Sequence, residues 1–462
     1  MLAIIALIPG VVALWLGFTR SPHTAFLMAY LPAMLLLPEY YRWNAPGLPD
    51  PTFGQAAIVG VSIAFFARGA PGYRFTPMDL LVFGFALAAS LSEFLASGYK
   101  DAQNLMFNML TWVVLPYILA KSLVEPAGLR VRFAKQIVLL LFAIAVVSVY
   151  EFRFGATPWR LILDRFFPWQ GLGWVTTFRW GFARVAGPYG HAILAGILMV
   201  VAYRIQRWLE WSGAWGPKPR LLRWQPLSPA QIITLGLLGG VVMTMVRGPW
   251  IGAILAALVV AVGRSPRRQV AIGIVLGLLV FVGIPAVIWF LDYVSVGRVG
   301  AQTVAQESAA YRWELLTEYA GVAAERLWLG WGLNDWPKVP GMPSIDNYYL
   351  LLLLMHGVIA LGCLLGIFVT MLFRLIRRGL REPLAIPRGS SLAFTLASIY
   401  VAIGFSIATV FLGLQAIPVF FLITGWAEGY LNGPAGEEPA AVGDTATAEP
   451  AAGPYRFREV MT

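Results

Sequence analysis

Apolar runs recur along the whole chain, at about 2–18, 24–37, 55–67, 78–97, 104–120, 136–150, 188–203, 230–246, 249–263, 270–291, 347–373, 391–409 and 411–429. Each is near, or slightly short of, the roughly 20 residues with which a helix crosses a bilayer. In hydrocarbon the backbone must meet its own hydrogen bonds, and helices do so within one segment. The expected fold is therefore an all-α polytopic membrane protein with about 12–13 transmembrane helices, one domain spanning residues 1–431. Composition agrees, with 59% hydrophobic residues, 12% charged and a mean hydropathy of +0.72, far from a soluble globular chain. The first two runs are short and read as one hairpin or two spans. The first 18 residues lack a basic leader, so they read as a membrane helix and not a cleaved signal peptide.

The net charge of +11 follows the same layout. Basic clusters fall at Lys121, Arg130, Arg132 and Lys135, at Arg204, Arg207, Lys218, Arg220 and Arg223, at Arg264, Arg267 and Arg268, and at Arg374, Arg377, Arg378, Arg381 and Arg388. Every second connection is basic, which places these four on the cytoplasmic side. The intervening connections then face the other side: the segment from Glu151 to Arg184, a tight turn at Arg247-Gly248-Pro249, a long loop over 292–345, and a turn near Phe411. Topology accounts for the charge, and no stripe of alternating basic and aromatic residues points to nucleic acid. Membrane lipids are the expected surroundings. One cysteine, Cys363, and three scattered histidines, His23, His191 and His356, give no disulfide and no metal-ligand spacing, so no metal or other cofactor is expected. The segment 432–462, rich in Ala, Gly, Pro and Glu, reads as a disordered cytoplasmic tail.

The 292–345 loop is too long for a mere connection and is not composed like a disordered one. Trp313, Leu316, Ala320, Ala323 and Leu327 fall at helical spacing, with Arg312, Glu318 and Glu325 off that stripe. It should hold an amphipathic helix. The loop runs into Asp346-Asn347-Tyr348-Tyr349-Leu350 at the mouth of an apolar helix.

The residues hardest to explain as topology lie on the non-cytoplasmic connections. Arg247 opposes the positive-inside bias and is a functional candidate; the bland alternative is an arginine snorkelling to lipid phosphates. Arg184 opens Arg184-Val185-Ala186-Gly187-Pro188-Tyr189-Gly190-His191, a loop-to-helix junction where backbone N–H groups, Arg184 and His191 would make an anion site, or else a structural turn. Arg312, near the start of the loop helix, is either a ligand for an anion or the partner of Glu307 or Glu314. Asp346 reads as a general base whose pKa partial desolvation raises, whereas Ser344 or Asp346 acting as an N-cap is the plainer reading. His356, about 15 Å further down a helix, is too deep to join Asp346.

In this order the segments Arg184 to Gly196, Arg247, Arg312-Trp313 leading to Leu329-Gly330-Trp331-Gly332, and Asp346-Asn347-Tyr348-Tyr349-Leu350 followed by Gly357 and Leu361-Gly362 carry a resemblance. The chain is similar to the Wzy-type O-antigen ligase and polymerase family of bacterial integral membrane glycosyltransferases, over roughly Arg184 to Leu375. The resemblance implies a GT-C-like, metal-independent, inverting enzyme in the bacterial inner membrane, acting on the periplasmic face on an undecaprenyl-diphosphate-linked glycan. A chain-length regulator and a flippase of a polysaccharide export system would be its partners. It implies that Arg247, Arg312 and Arg184 hold the lipid diphosphate, a role suited to a planar guanidinium; in an enzyme of that kind the residues here would make Asp346 the base and let Asn347 and Tyr349 orient the sugar, with His191 beside the anion. Ligases of the family typically show His-Asn where this chain has Asp346-Asn347, as some polymerase-like members do. That difference tilts the expectation toward a polymerase of exopolysaccharide or O-antigen repeats over a lipid A-core ligase.

Two rivals belong to other classes. A transporter or lipid-linked glycan flippase also needs many helices and cations, and Glu93 and His356, inside apolar runs, favour it. A non-catalytic assembly partner would tolerate loss of the loop arginines.

Overall fold

The computed structural model describes residues 2–44, 47, 49–216, 226–342, 344–382 and 391–433. Lys218, Arg220, Arg223 and Arg388, and the tail from 434 onward, lie outside the described residues. In chain order the principal helices are α1 (Ala3–Thr19), α2 (Pro22–Leu36), α3 (Phe53–Ala67), α4 (Pro77–Ser97), α5 (Tyr99–Leu123), α6 (Arg130–Phe154), α7 (Ala192–Trp211), α8 (Pro229–Met243), α9 (Arg247–Arg264), α10 (Arg268–Ser295), α11 (Val304–Glu325), α12 (Tyr348–Arg381), α13 (Leu392–Ile407) and α14 (Ala416–Asn432). Seven of them, α4, α5, α6, α7, α9, α10 and α12, are long and apolar enough to cross a membrane, and α1, α2, α3, α8 and α13 are shorter apolar helices. Among the described residues, named strands are confined to one hairpin, β1 (Phe178–Arg179) paired with β2 (Phe182–Ala183). The protein is an all-α polytopic membrane protein, the class its hydropathy dictates.

Local sequence sets the helix starts. Thr52 with Gln55, and Ser228 with Gln231, form capping boxes that meet the first free N–H groups of α3 and α8. Pro77 and Pro229 occupy first-turn positions where no donor is needed. Small residues then set the packing. Gly10, Ala13 and Gly17 of α1 lie against Ala56, Gly60 and Ala64 of α3, so the two backbones approach closely, as membrane helices do where side chains are small.

At the centre stands α7, packed on α6, α8, α9, α13 and α14, with Leu194, Leu198, Met199 and Ile205 fully buried. Two ion pairs join helices of the bundle. Lys121 meets Asp79 at 2.6 Å with both side chains buried, and Arg374 meets Glu428 at 2.5 Å. An unpaired ion in these places would cost several kcal/mol. In contrast, α10 buries only Val294 and turns the rest of its apolar surface outward.

The connections between helices gather at one end. Val185 N–H donates to the carbonyl of Met243, the Gln415 amide donates to the carbonyls of Leu37 and Pro188, and Tyr348 N–H donates to that of Val410. The amphipathic helix expected in the long loop is α11, but its packed face is not the expected one. Ala310, Leu315, Tyr319 and Ala323 are buried, on Met342, Leu350 and Leu354. Trp313, Leu316, Ala320 and Leu327 are exposed. Leu315 and Leu316 lie 100° apart on a helix, so two apolar stripes compete, and Tyr319, counted on neither, decides between them by burying a full ring.

Candidate active site

The outward stripe of α11 has its own use. Trp313 and Leu316, with Arg312 and Leu315, roof a cavity of about 160 Å³ whose other walls are Phe290 of α10, Asp346 and Asn347 before α12, and Ala408 after α13. Tyr311 donates its hydroxyl to the carbonyl of Ser344 at 2.7 Å, and Tyr319 donates to that of Met342 at 3.0 Å. These bonds tie α11 down across the loop that carries Asp346.

Arg312 is more than two turns inside α11, not near its start, so the helix dipole has no hold on it. Of the two partners the sequence offered, Glu307 and Glu314, the second is taken by Arg298 at 2.5 Å. Among the described residues no ion pair contains Arg312 or Arg247, and two uncommitted guanidinium groups are left at this end of the bundle. Arg247 is the first residue of α9, after a turn at 244–246. Its neighbour Gly248 packs so closely on Thr409 that a β-carbon there would lie 2.7 Å from the threonine hydroxyl. Gly248 thus packs on the residue that follows Ala408 of the cavity wall, and Arg247 itself does not line the cavity.

Asp346 is exposed and accepts a hydrogen bond from the Ser344 hydroxyl at 3.0 Å. The partial burial expected to make it a stronger base is absent here. The N-cap of α12 is Asn347, and neither Ser344 nor Asp346: its Oδ1 accepts from the N–H groups of Tyr349 and Leu350. That fixes the amide and leaves its NH₂ group as a donor. Tyr349 is placed differently from expectation. It donates its hydroxyl to the carbonyl of Gly404 at 3.0 Å, which turns it to α13 and away from the cavity.

The Arg184 segment is also built otherwise than its sequence implied. The N–H groups of Ala186 and Gly187, which looked ready for an external anion, donate to the carboxylate of Glu151 at 3.0 and 2.9 Å. His191 caps α7, its Nδ1 accepting from Ile193 N–H at 3.3 Å, so the neutral ring carries its proton on Nε2. Burial, and then Arg184, hold this imidazole below its ordinary range against the pull of Asp346. His191 is therefore within electrostatic reach of Arg184 and Asp346, which come from separate parts of the chain. Arg184 itself reaches the Thr244 carbonyl, at the limit of a hydrogen bond, and Arg179 of β1 donates to the Met245 carbonyl at 2.6 Å.

Sequence reasoning missed Glu151, Arg179, Phe290 and Ala408. Arg179 was legible as a second arginine five residues before Arg184. Glu151 ends an apolar run and carried no signal of its partners. Among the described residues no group of three or more His, Cys, Asp or Glu side chains converges as a metal site.

Fold and cavity together define a multi-pass helical membrane protein with a cationic, carboxylate-bearing pocket under a loop helix. Within it, residues 232–365 match the family model described as O-antigen ligase (Wzy_C). That match spans α8 to the middle of α12 and includes Arg247, Arg312, Asp346 and Asn347, so over this part the chain is similar to an O-antigen ligase/polymerase-type family. No curated protein matches the chain significantly.

Proposed function

We propose that this protein is an inner-membrane, inverting glycosyltransferase that polymerises undecaprenyl-diphosphate-linked repeat units on the periplasmic face, without a metal. The observation that carries the reading is one cavity lined by an unpaired arginine of α11, Arg312, and by the Asp346 carboxylate from another segment. Asp346 takes the proton from an acceptor hydroxyl as that oxygen bonds to the anomeric carbon. The bond from that carbon to the diphosphate oxygen breaks, and the diphosphate leaves with the electron pair. Arg312, with Arg247 and Arg184, meets the growing negative charge by bidentate hydrogen bonds, an electrostatic contribution that is strongest where water is scarce. The Nε2–H of His191 and the amide of Asn347 supply neutral donors.

The cavity, at about 160 Å³, is smaller than the roughly 300–1,000 Å³ of sites that enclose small molecules. It fits the floor of a site whose ligand extends past the rim, or one that opens when α11 lifts. The Asp346-Asn347 pair favours a polymerase; transfer to lipid A-core is the alternative within the family.

The test is a gel of polysaccharide and lipid-linked glycans from cells lacking the gene, complemented with wild type, Arg312→Ala, Arg247→Ala or Asp346→Asn. Single lipid-linked repeats in place of long polymer, restored by wild type but by none of the variants, is the expected result. Long polymer retained on the carrier and missing from lipid A-core would make the protein a ligase. Full restoration by all three variants would remove this site from the reaction.

A further inference from the structure

We propose that Glu93 on α4 is a positioning residue, a latch that sets α11, and with it Arg312, over Asp346; this rests on the reading of the cavity just given. The observation behind it is a break in α12. Gly357 has φ +70° and ψ −175°, so the helix stops and restarts there. The carbonyls and N–H groups released by the break are met by the segment that follows α11. Trp331 and Gly332 N–H donate to the carbonyls of Leu354 and Met355, and Val358 and Ile359 N–H donate to those of Leu327 and Trp328. The fit allows no side chain, since a β-carbon on Gly357 would lie 2.3 Å from the Trp328 oxygen, and one on Gly330 2.5 Å from the Met355 oxygen.

Glu93 holds this junction from the α4 side. It is buried in an apolar helix, and one of its oxygens accepts from Leu333 N–H at 2.6 Å while the other lies 3.1 Å from the Ser97 hydroxyl, whose one proton is shared between Glu93 and the Asp335 carboxylate at 3.0 Å. One turn of α4 thus reaches both sides of the junction, because Ser92 donates to the Met355 carbonyl at 2.8 Å. On the far side the docked segment is joined to α11 by the Trp331 indole N–H, which donates to the carbonyl of Val322 at 3.0 Å, with Arg326 stacked over the same ring at 4.3 Å. A continuous chain of contacts runs from Glu93 through Leu333 and Trp331 to α11 and Arg312. Through Met355 the same junction is tied to the helix that begins after Asp346 and Asn347. A buried carboxylate that accepts only N–H and O–H donors works here as an acceptor, and the intramembrane acid that looked like part of a transport path is used to hold the roof of the site.

The experiment uses full-length protein in nanodiscs, in a Cys363→Ser background, with spin labels at Glu318→Cys on α11 and Tyr99→Cys at the start of α5. The distance distribution is narrow in the parent. Glu93→Ala should broaden it, Glu93→Gln should keep it narrow because the amide oxygen still accepts from Leu333, and Trp331→Phe, which removes only the indole N–H, should broaden it in a protein that folds. An unchanged distribution in both Glu93→Ala and Trp331→Phe would overturn the latch. In glycan transfer per folded molecule, Glu93→Ala should lower kcat by about tenfold or more with the donor KM little changed, as small misplacements of reacting groups do, and Glu93→Gln should restore it. Gln as inactive as Ala, with a pH profile that has lost a limb, would make Glu93 a proton carrier and overturn the proposal. Broadening in a protein that shows no glycan transfer even as wild type would sink the reading of the function and leave the latch standing.

Discussion

Two regions at this end of the molecule, the Arg184 segment and the α11 roof, differ in how their polar groups are satisfied. On the Arg184 side the backbone N–H groups are closed off by Glu151 and His191, and Gln415 and Arg179 stitch the surrounding loops to one another. On the other side Arg312 has no ion-pair partner among the described residues, Asp346 is exposed, and α11 sits on a small hydrophobic cluster of its own. One side is a wall built with the bundle. The other is a roof fastened at a few points, and such weakly anchored elements are the ones that open first. The comparison teaches that one end of a helical bundle can carry a frame whose polar groups are satisfied internally beside an element that is fastened at only a few points.

Four substitutions break or sharpen this contrast. The largest effect is expected from Glu151→Ala, which strands two buried N–H groups at about 1–3 kcal/mol each. Its thermal midpoint in detergent should fall sharply, and glycan transfer should fall with it because Arg184 loses its frame. A variant with wild-type stability would show that the wall is held by something other than this carboxylate. Next comes a pair on the roof. Leu315→Ala removes a side chain buried on Met342, Leu350 and Leu354 and should cost about 2–4 kcal/mol, seen as faster proteolysis confined to the 296–347 loop. Leu316→Ala, one residue on, should leave stability near wild type and change only the cavity. Equal losses in the two would mean that α11 has no preferred face.

The smallest effect concerns pH and the wall alone. Glu39 is buried after α2, and burial raises its pKa to about 7, against the opposing pull of Thr52, Arg42 and Trp112. A carboxyl whose folded pKa lies above its unfolded value of 4.5 contributes stability that is full below the unfolded value and lost as pH rises through about 7. Glu39→Gln should therefore match wild type at pH 5 and exceed it at pH 8 by on the order of 2 kcal/mol, read from thermal midpoints at the two pH values. A difference of the same size at both would assign the effect to packing rather than to the proton.

Much of this molecule was legible before its structure. The hydropathy of the chain settles that it is helical and crosses a membrane, because hydrocarbon permits few other ways of pairing the backbone. The unusual placement of Arg247, Arg312 and Asp346 marked the loop end as the place to look, since charge at a membrane boundary needs a reason. Hydropathy marks both α7 and α10 as long and apolar enough to cross a membrane, and does not say that one is the centre of the bundle while the other buries a single residue; in lipid an apolar surface is equally content against a tail or a neighbour. Nor does periodicity choose between the two stripes of α11, which differ by one residue. The partners of Glu151, Glu93 and Tyr349 lie 35, 240 and 55 positions away. Long-range pairing of that kind is set by how helices pack, and only the tertiary structure decided that two acidic residues buried in helices are hydrogen-bond acceptors for the loops around the cavity.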